Sequence, residues 1–273
     1  MTGAHAQGFS DTSMGVRDGP WISNPGGGKG SRDVNKIIVN VAHFDVWDYG
    51  TNFFNVDALF SNANEPANNS NGGSTEFYAV YRGQFSPDKI FGINTHFGPI
   101  KAINFEIGGD AESENTAFAP DKKLLVVGPN FNFDLPAGGF LDIGVHFSKE
   151  WNNNGFSSCP STCGKGGAIS FDPAPEFEFV WLQPLPFTNL PLDFRGFMNI
   201  VMPKGTDGFG NHTYTEILAR PQLQLDFGSL IGVKPRKIYT YLAVEFWLHK
   251  FGNGSEVSGS TEVSPVFGIE YHF

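Results

Sequence analysis

Four pieces of this sequence carry residue types that could do chemistry. Cys159 and Cys163 sit in the Gly/Ser-rich stretch SSCPSTCGKGG. They could close a small disulfide loop in an oxidising compartment. Metal binding would need more soft ligands than these two, and His146 is the only imidazole nearby in sequence, so the disulfide is preferred and no metal is expected. Glu176 and Glu178 lie two apart. Such a pair hydrolyses glycosides only when the two carboxyls flank a substrate at the right separation. His146 and Ser148 also lie two apart, but a lipase-like site needs a Ser–His pair with a third polar group at the lipid face. Nothing resembles a nucleophile elbow. NPGGGKGS lacks both the spacing of a phosphate-binding loop and a following helix. No catalytic residue, cofactor or enzymatic activity is therefore expected.

The elements that must position these residues repeat with a period of two. Phe54, Val56, Ala58 and Phe60 alternate with Asn55 and Asp57. Phe77, Ala79 and Tyr81 alternate with Glu76, Tyr78 and Arg82. Leu141, Ile143, Val145 and Phe147 alternate with Asp142, His146 and Ser148. The same alternation runs through Ile103–Ile107, Leu125–Phe133, Phe177–Trp181, Leu192–Met202, Ile217–Phe227 and Ile238–Leu248. It closes in Val263, Phe267, Ile269, Tyr271 and Phe273. With Ile37–Asp45 and a weaker stretch over Phe9–Asp18, the segments number about twelve.

From residue 52 onward the apolar parity holds no Asp, Glu or Arg, and a single Lys, Lys149, at a segment end. The opposite parity is persistently ionic. A Lys or Arg at a bilayer midplane costs roughly 2–4 kcal/mol, whereas a water-washed sheet face tolerates charge freely. Long Gly/Asn/Ser connections such as SNANEPANNSNGGS alternate with shorter ones such as WDYG and DLPAG. SPDKIFGINTHFGP is long where a short turn is due. These features predict one domain over residues 1–273, an all-β transmembrane antiparallel barrel of about twelve strands with long extracellular loops and shorter periplasmic turns. A soluble barrel also alternates, but twelve strands of ten residues would enclose a large void.

Composition agrees. Twenty-eight Phe and 34 Gly favour strands over helices, and no apolar run approaches a helical span. A net charge of −10 leaves no basic patch for nucleic acid. MTGAHAQGFSDTS has no apolar leader core, which reads as a mature chain behind a starting Met or a protein that stays in the cytosol.

FSDTSMGVRDG, WDYGTNFFNVDALFSN, EFYAVYRGQFS with its following FGP, KEWNNNG, EFWLHKFGN and the closing GIEYHF occur in that order over nearly the whole chain. Together they resemble the nucleoside-specific channel-forming (Tsx-like) outer-membrane family, which includes phage receptors. The resemblance implies a monomeric twelve-stranded barrel in a bacterial outer membrane, passing nucleosides by diffusion. Those channels carry an aromatic next to Gly-Pro in a first loop that folds toward the pore. Here the order is Gly19-Pro20-Trp21, and Trp21 is the candidate counterpart. The alternative is a surface receptor or structural barrel that binds phage or bacteriocin, with transport incidental.

A nucleoside is neutral, with a flat π-face and a hydroxylated sugar. A selective pore would offer aromatics for stacking and amides or carboxylates for hydrogen bonds. Inward-parity candidates for stacking are Phe53, Tyr78, Phe197, Tyr239, Tyr241 and Trp247. Those for hydrogen bonding are Asn55, Asp57, Glu76, Asn104, Asn130, Asn199 and Gln222. Arg82, Arg195 and Arg220 are expected to form ion pairs with the surrounding acids. Arg82 and Arg220 are also candidate solute contacts. The lipid bilayer and lipopolysaccharide are expected to surround the wall, and Phe273 to be read by the barrel-assembly machinery.

Overall fold

A computed structural model describes residues 8–26, 31, 33–67, 72–116, 120–154 and 168–273. Cys159 and Cys163 lie outside these residues. Strands follow the alternation: β1 (Ser10–Ile22), β2 (Val34–Trp47), β3 (Gly50–Ser61), β4 (Thr75–Phe85), β5 (Ala102–Glu114), β6 (Asp121–Leu135) and β7 (Gly139–Asn153). Then come the three-residue β8 (Ala168–Ser170), β9 (Ala174–Pro184), β10 (Leu192–Val201), β11 (Glu216–Ala219), β12 (Gln222–Asp226), β13 (Ile238–Leu248) and β14 (Glu262–His272).

Each neighbouring pair is antiparallel, and the sheet closes on itself. β7 pairs β9, β9 pairs β10, and β14 returns to β1 with Met14 opposite Tyr271 and Val16 opposite Ile269. Fourteen strands make twelve staves. β8 only lines the end of β7. β11 and β12 are one stave interrupted at Pro221, which has no N–H to donate. Both halves keep one register against β10, with Met198 opposite Ala219 and Phe194 opposite Leu223. The Arg220 N–H still reaches the Phe197 carbonyl at 3.0 Å, so the wall stays continuous across the break.

Closure fixes which parity faces out. Phe105, Val145, Leu223 and Val244 are 45%, 39%, 47% and 42% exposed, while Glu106, Glu176, Gln224 and Glu262 are 1% exposed. The apolar stripes therefore cover the outside and the ionic ones fill the interior. A cylinder with this surface is unsuited to water and suited to hydrocarbon, because every backbone ladder is paired and no sheet edge is left open. No helix among the described residues is long and apolar enough to cross a membrane.

The start of β1, the end of β14 and the strand ends joined after β2, β4, β6, β9 and β12 lie at one rim, and the strand ends joined after β1, β3, β5, β10 and β13 at the other. The long connection after β4 folds as a one-turn helix, α1 (Pro87–Phe91), capped by Ser86 and ended by Gly92 in the left-handed region. A second short helix, α2 (Phe227–Leu230), follows β12. At the opposite rim, Ile22, Val34 and Ile38 form a small apolar cluster inside the wall, joined by Leu59.

Candidate functional site: the barrel interior

The interior is a set of charge clusters, each built by inward positions of adjacent staves. In the first, the Arg17 guanidinium on β1 donates to Asp57 on β3. Asn40 Nδ2 on β2 donates to Asp57 Oδ1 at 2.7 Å and to Asn55 Oδ1 at 2.5 Å. These residues meet because β1, β2 and β3 are neighbours, with Asn40 opposite Asp57. Nearby, Arg220 pairs with Glu245 on β13 at 3.6 Å and lies 5.0 Å from the Phe197 ring on β10. Tyr241 packs across Gly268 on β14, where a Cβ would come within 2.1 Å of its ring.

The second cluster spans β4 to β9. Arg82 donates from Nη1 to Asp110 on β5 at 2.7 Å and from Nε to Glu178 on β9 at 3.1 Å. β5, β6 and β7 stand between β4 and β9 along the wall. The Arg82–Glu178 bond is therefore a chord across the interior. Tyr78 OH donates to Asp110 at 2.7 Å and receives Lys122 Nζ at 3.3 Å. Asn130 donates to Glu106 Oε2 at 2.8 Å.

Three lysines hold the rim that carries the longer connections. Lys36 pairs with Glu76 at 2.9 Å and Glu65 at 3.5 Å. Lys204, from the connection after β10, pairs with Glu150 at 2.5 Å and lies 4.7 Å from the Phe171 ring. Lys250, just after β13, pairs with Glu262 at 2.7 Å and sits 4.2 Å from the Trp247 ring, whose Nε1 donates to Glu216 at 2.8 Å. At the opposite rim Tyr239 stands edge-on to His272 at 4.9 Å, and His272 pairs with Asp11 at 2.7 Å. There Asn104 donates to Asn132 at 2.6 Å, and Arg195 donates to Gln224 at 2.7 Å.

The residues singled out in the sequence are thus distributed rather than convergent. Asn55, Asp57, Phe197, Arg220 and Tyr241 belong to the first cluster and its surroundings. Tyr78 and Arg82 belong to the second, together with Asn130. Glu76 and Trp247 belong to one rim, Phe53 and Tyr239 to the other. Asn199 lies on β10 opposite Glu178 on β9. Gln222 is buried on β12. Arg82, Arg195 and Arg220 each have polar partners, which include carboxylates for Arg82 and Arg220.

Trp21 is placed differently from its expected position. The pairing of β1 with β2 shifts between Gly19 and Ile22, so Ile22 turns inward opposite Val34. Trp21 is left on the outside, 58% exposed. An irregular extra residue in a strand reverses parity beyond it, and here it removes the one aromatic of the first long connection from the interior.

Sequence reading missed Lys204, Lys250, Glu150 and Glu262 as a rim network. Their signal was a lysine at the edge of each loop facing a strand-end acid. Among the described residues nine buried carboxylates stand against five buried Lys or Arg, so the interior is net acidic.

No family model matches this chain, and no curated protein matches it. Among solved structures it is similar to a KdgM porin, with 8% identity over 96% of this chain and 99% of that one, at a TM-score of 0.44. It is also similar to the translocator domain of the autotransporter NalP from Neisseria meningitidis (12% identity, 98% and 89% covered, TM-score 0.44). A third similar structure is OprB from Pseudomonas putida (10% identity, 97% and 94% covered, TM-score 0.38). The barrel itself rests on the register and the apolar exterior of this chain.

Proposed function

We propose that the protein is a passive channel of the bacterial outer membrane for small solutes, with nucleosides as its preferred class. The observation that carries this reading is a closed barrel, apolar outside, whose interior presents Asn55, Phe197, Asn199 and Arg220 with partial exposure beside its ion pairs. Base–aromatic stacking contributes about 1–3 kcal/mol per base, which suits a pore that must also release its solute. Asn55 and Asn199 offer amides to sugar hydroxyls or base edges. The acid excess disfavours anions, so a neutral nucleoside fits better than a nucleotide. No catalytic step belongs to this reading. Phe273, 63% exposed beside Tyr271 at the closing seam, is the feature offered to assembly machinery.

The second reading, a surface barrel whose loops bind phage or bacteriocin, is favoured by the chord from Arg82 to Glu178, which stiffens and narrows the interior. Single-channel recording in planar bilayers separates the two. The channel reading expects conductance that adenosine or thymidine blocks and glucose does not, with the block weakened in Phe197→Ala. Absent conductance, or conductance indifferent to both solutes, removes it.

A further inference from the structure

The geometry points to a buried divalent-metal site inside the barrel, formed by Glu106 on β5, His146 on β7 and Glu178 on β9. One ligand atom from each lies within 4.8 Å of the others. The His146 side chain is 0% exposed and that of Glu106 2%. Both ring nitrogens of His146 and Oε1 of Glu106 lack a hydrogen-bond partner, although His146 Nε2 stands only 3.8 Å from Glu106 Oε1. Buried polar atoms almost always find partners, so an unpartnered imidazole nitrogen and the unpartnered Oε1 of Glu106, brought together beside the Glu178 carboxylate, mark a place for a cation.

The backbone is shaped to place that ring. A Cβ at Gly144, two residues before His146 on the same face, would come within 2.2 Å of the imidazole. A Cβ at Gly128, on β6, would come within 3.1 Å of it. The ring lies in the space these two glycines leave free, between β5 and β9.

Charge argues the same way. Glu106, Asp110 and Glu178 lie against Arg82, with Lys122 the next cation beside Tyr78 and Asp110, and Glu176 Oε2 is also unpartnered, so four carboxylates stand against two cations. A cation supplies the missing balance. Arg82 can release Glu178 and keep Asp110, its shorter contact at 2.7 Å. One imidazole and two carboxylates are an ordinary donor set for zinc, with bonds of about 2.0–2.2 Å. Ligand atoms around such an ion stand roughly 3.3–3.5 Å apart in a tetrahedral arrangement. The three side chains must therefore close by about 1 Å. Binding here does not require the barrel to conduct.

The test is zinc titration by calorimetry on the full chain, refolded in detergent and freed of metal with a chelator. The site predicts one high-affinity Zn2+ per chain. His146→Gln and Glu106→Gln should each weaken it at least tenfold, while His43→Gln, at a half-buried imidazole between Thr12 and Asp45, leaves it unchanged. If either interior variant fails to show the heat-modifiable mobility of a folded barrel, Gly144→Ala, which displaces the ring without removing a ligand, replaces it with the same expectation. Zinc affinity equal to wild type in the folded interior variants, or no tight binding to wild type, overturns the site.

Discussion

Arg17 is 5% exposed and Asp57 8%, and each is the other's principal partner. Removing one member of a buried pair leaves an uncompensated charge, at a cost of about 3–5 kcal/mol. Asp57→Ala should therefore lower the unfolding free energy of the refolded barrel, measured by urea denaturation, by about 3–5 kcal/mol, whereas Arg17→Met with Asp57→Leu should recover much of it. A double variant as unstable as Asp57→Ala would mean that packing, not charge, holds this spot. The outer wall obeys the opposite rule. Val244 is 42% exposed on the apolar face, and Val244→Arg should destabilise the membrane-inserted state by about 2–4 kcal/mol in reversible liposome unfolding. Which residues point inward was legible in the sequence, because a two-residue period has only two answers. Which charges would meet was not. Arg82 and Glu178 are 96 positions apart and touch only because the sheet closes.

Within elements, local chemistry set most boundaries and misled at one place. The alternation ran straight through Arg220-Pro221, and the structure keeps that register despite the break between β11 and β12. The alternation gave no warning of the shift between Gly19 and Ile22, because glycine and proline carry no parity of their own. Since that shift puts Trp21 outside, Trp21→Ala should leave solute block unchanged in bilayer recordings while Phe197→Ala weakens it. The reverse result would return the first connection to the pore. Loop contacts were equally hidden. Gly259 has φ +82°, and a Cβ there would approach the Asn24 carbonyl oxygen to 2.1 Å. Ser31 and Ser258 hydrogen-bond at 2.6 Å beside it. Gly259→Val should undock the β13–β14 connection from the β1–β2 connection. Limited proteolysis should then cut the 252–260 segment faster, with barrel heat stability unchanged. Unchanged cleavage would show that the two loops hold without this close approach.

For the molecule as a whole, the acid excess of the interior has an electrical consequence. Field lines focus in a low-dielectric channel lined by one sign of charge. If the barrel conducts, a potassium chloride gradient should give a reversal potential of the sign that marks K+ over Cl− preference. Anion preference would contradict the charge distribution. Both this and the zinc site depend on the same orientation of side chains. That orientation is tested most directly by spin labels in liposomes, on a background with Cys159 and Cys163 replaced by Ser. Labels at Val145→Cys and Leu223→Cys should be accessible to lipid-dissolved oxygen and shielded from an aqueous nickel chelate, and a label at Asn55→Cys should be shielded from lipid-phase oxygen. Labels at 145 and 223 that report a dry protein interior, with the label at 55 in contact with lipid, would contradict the account.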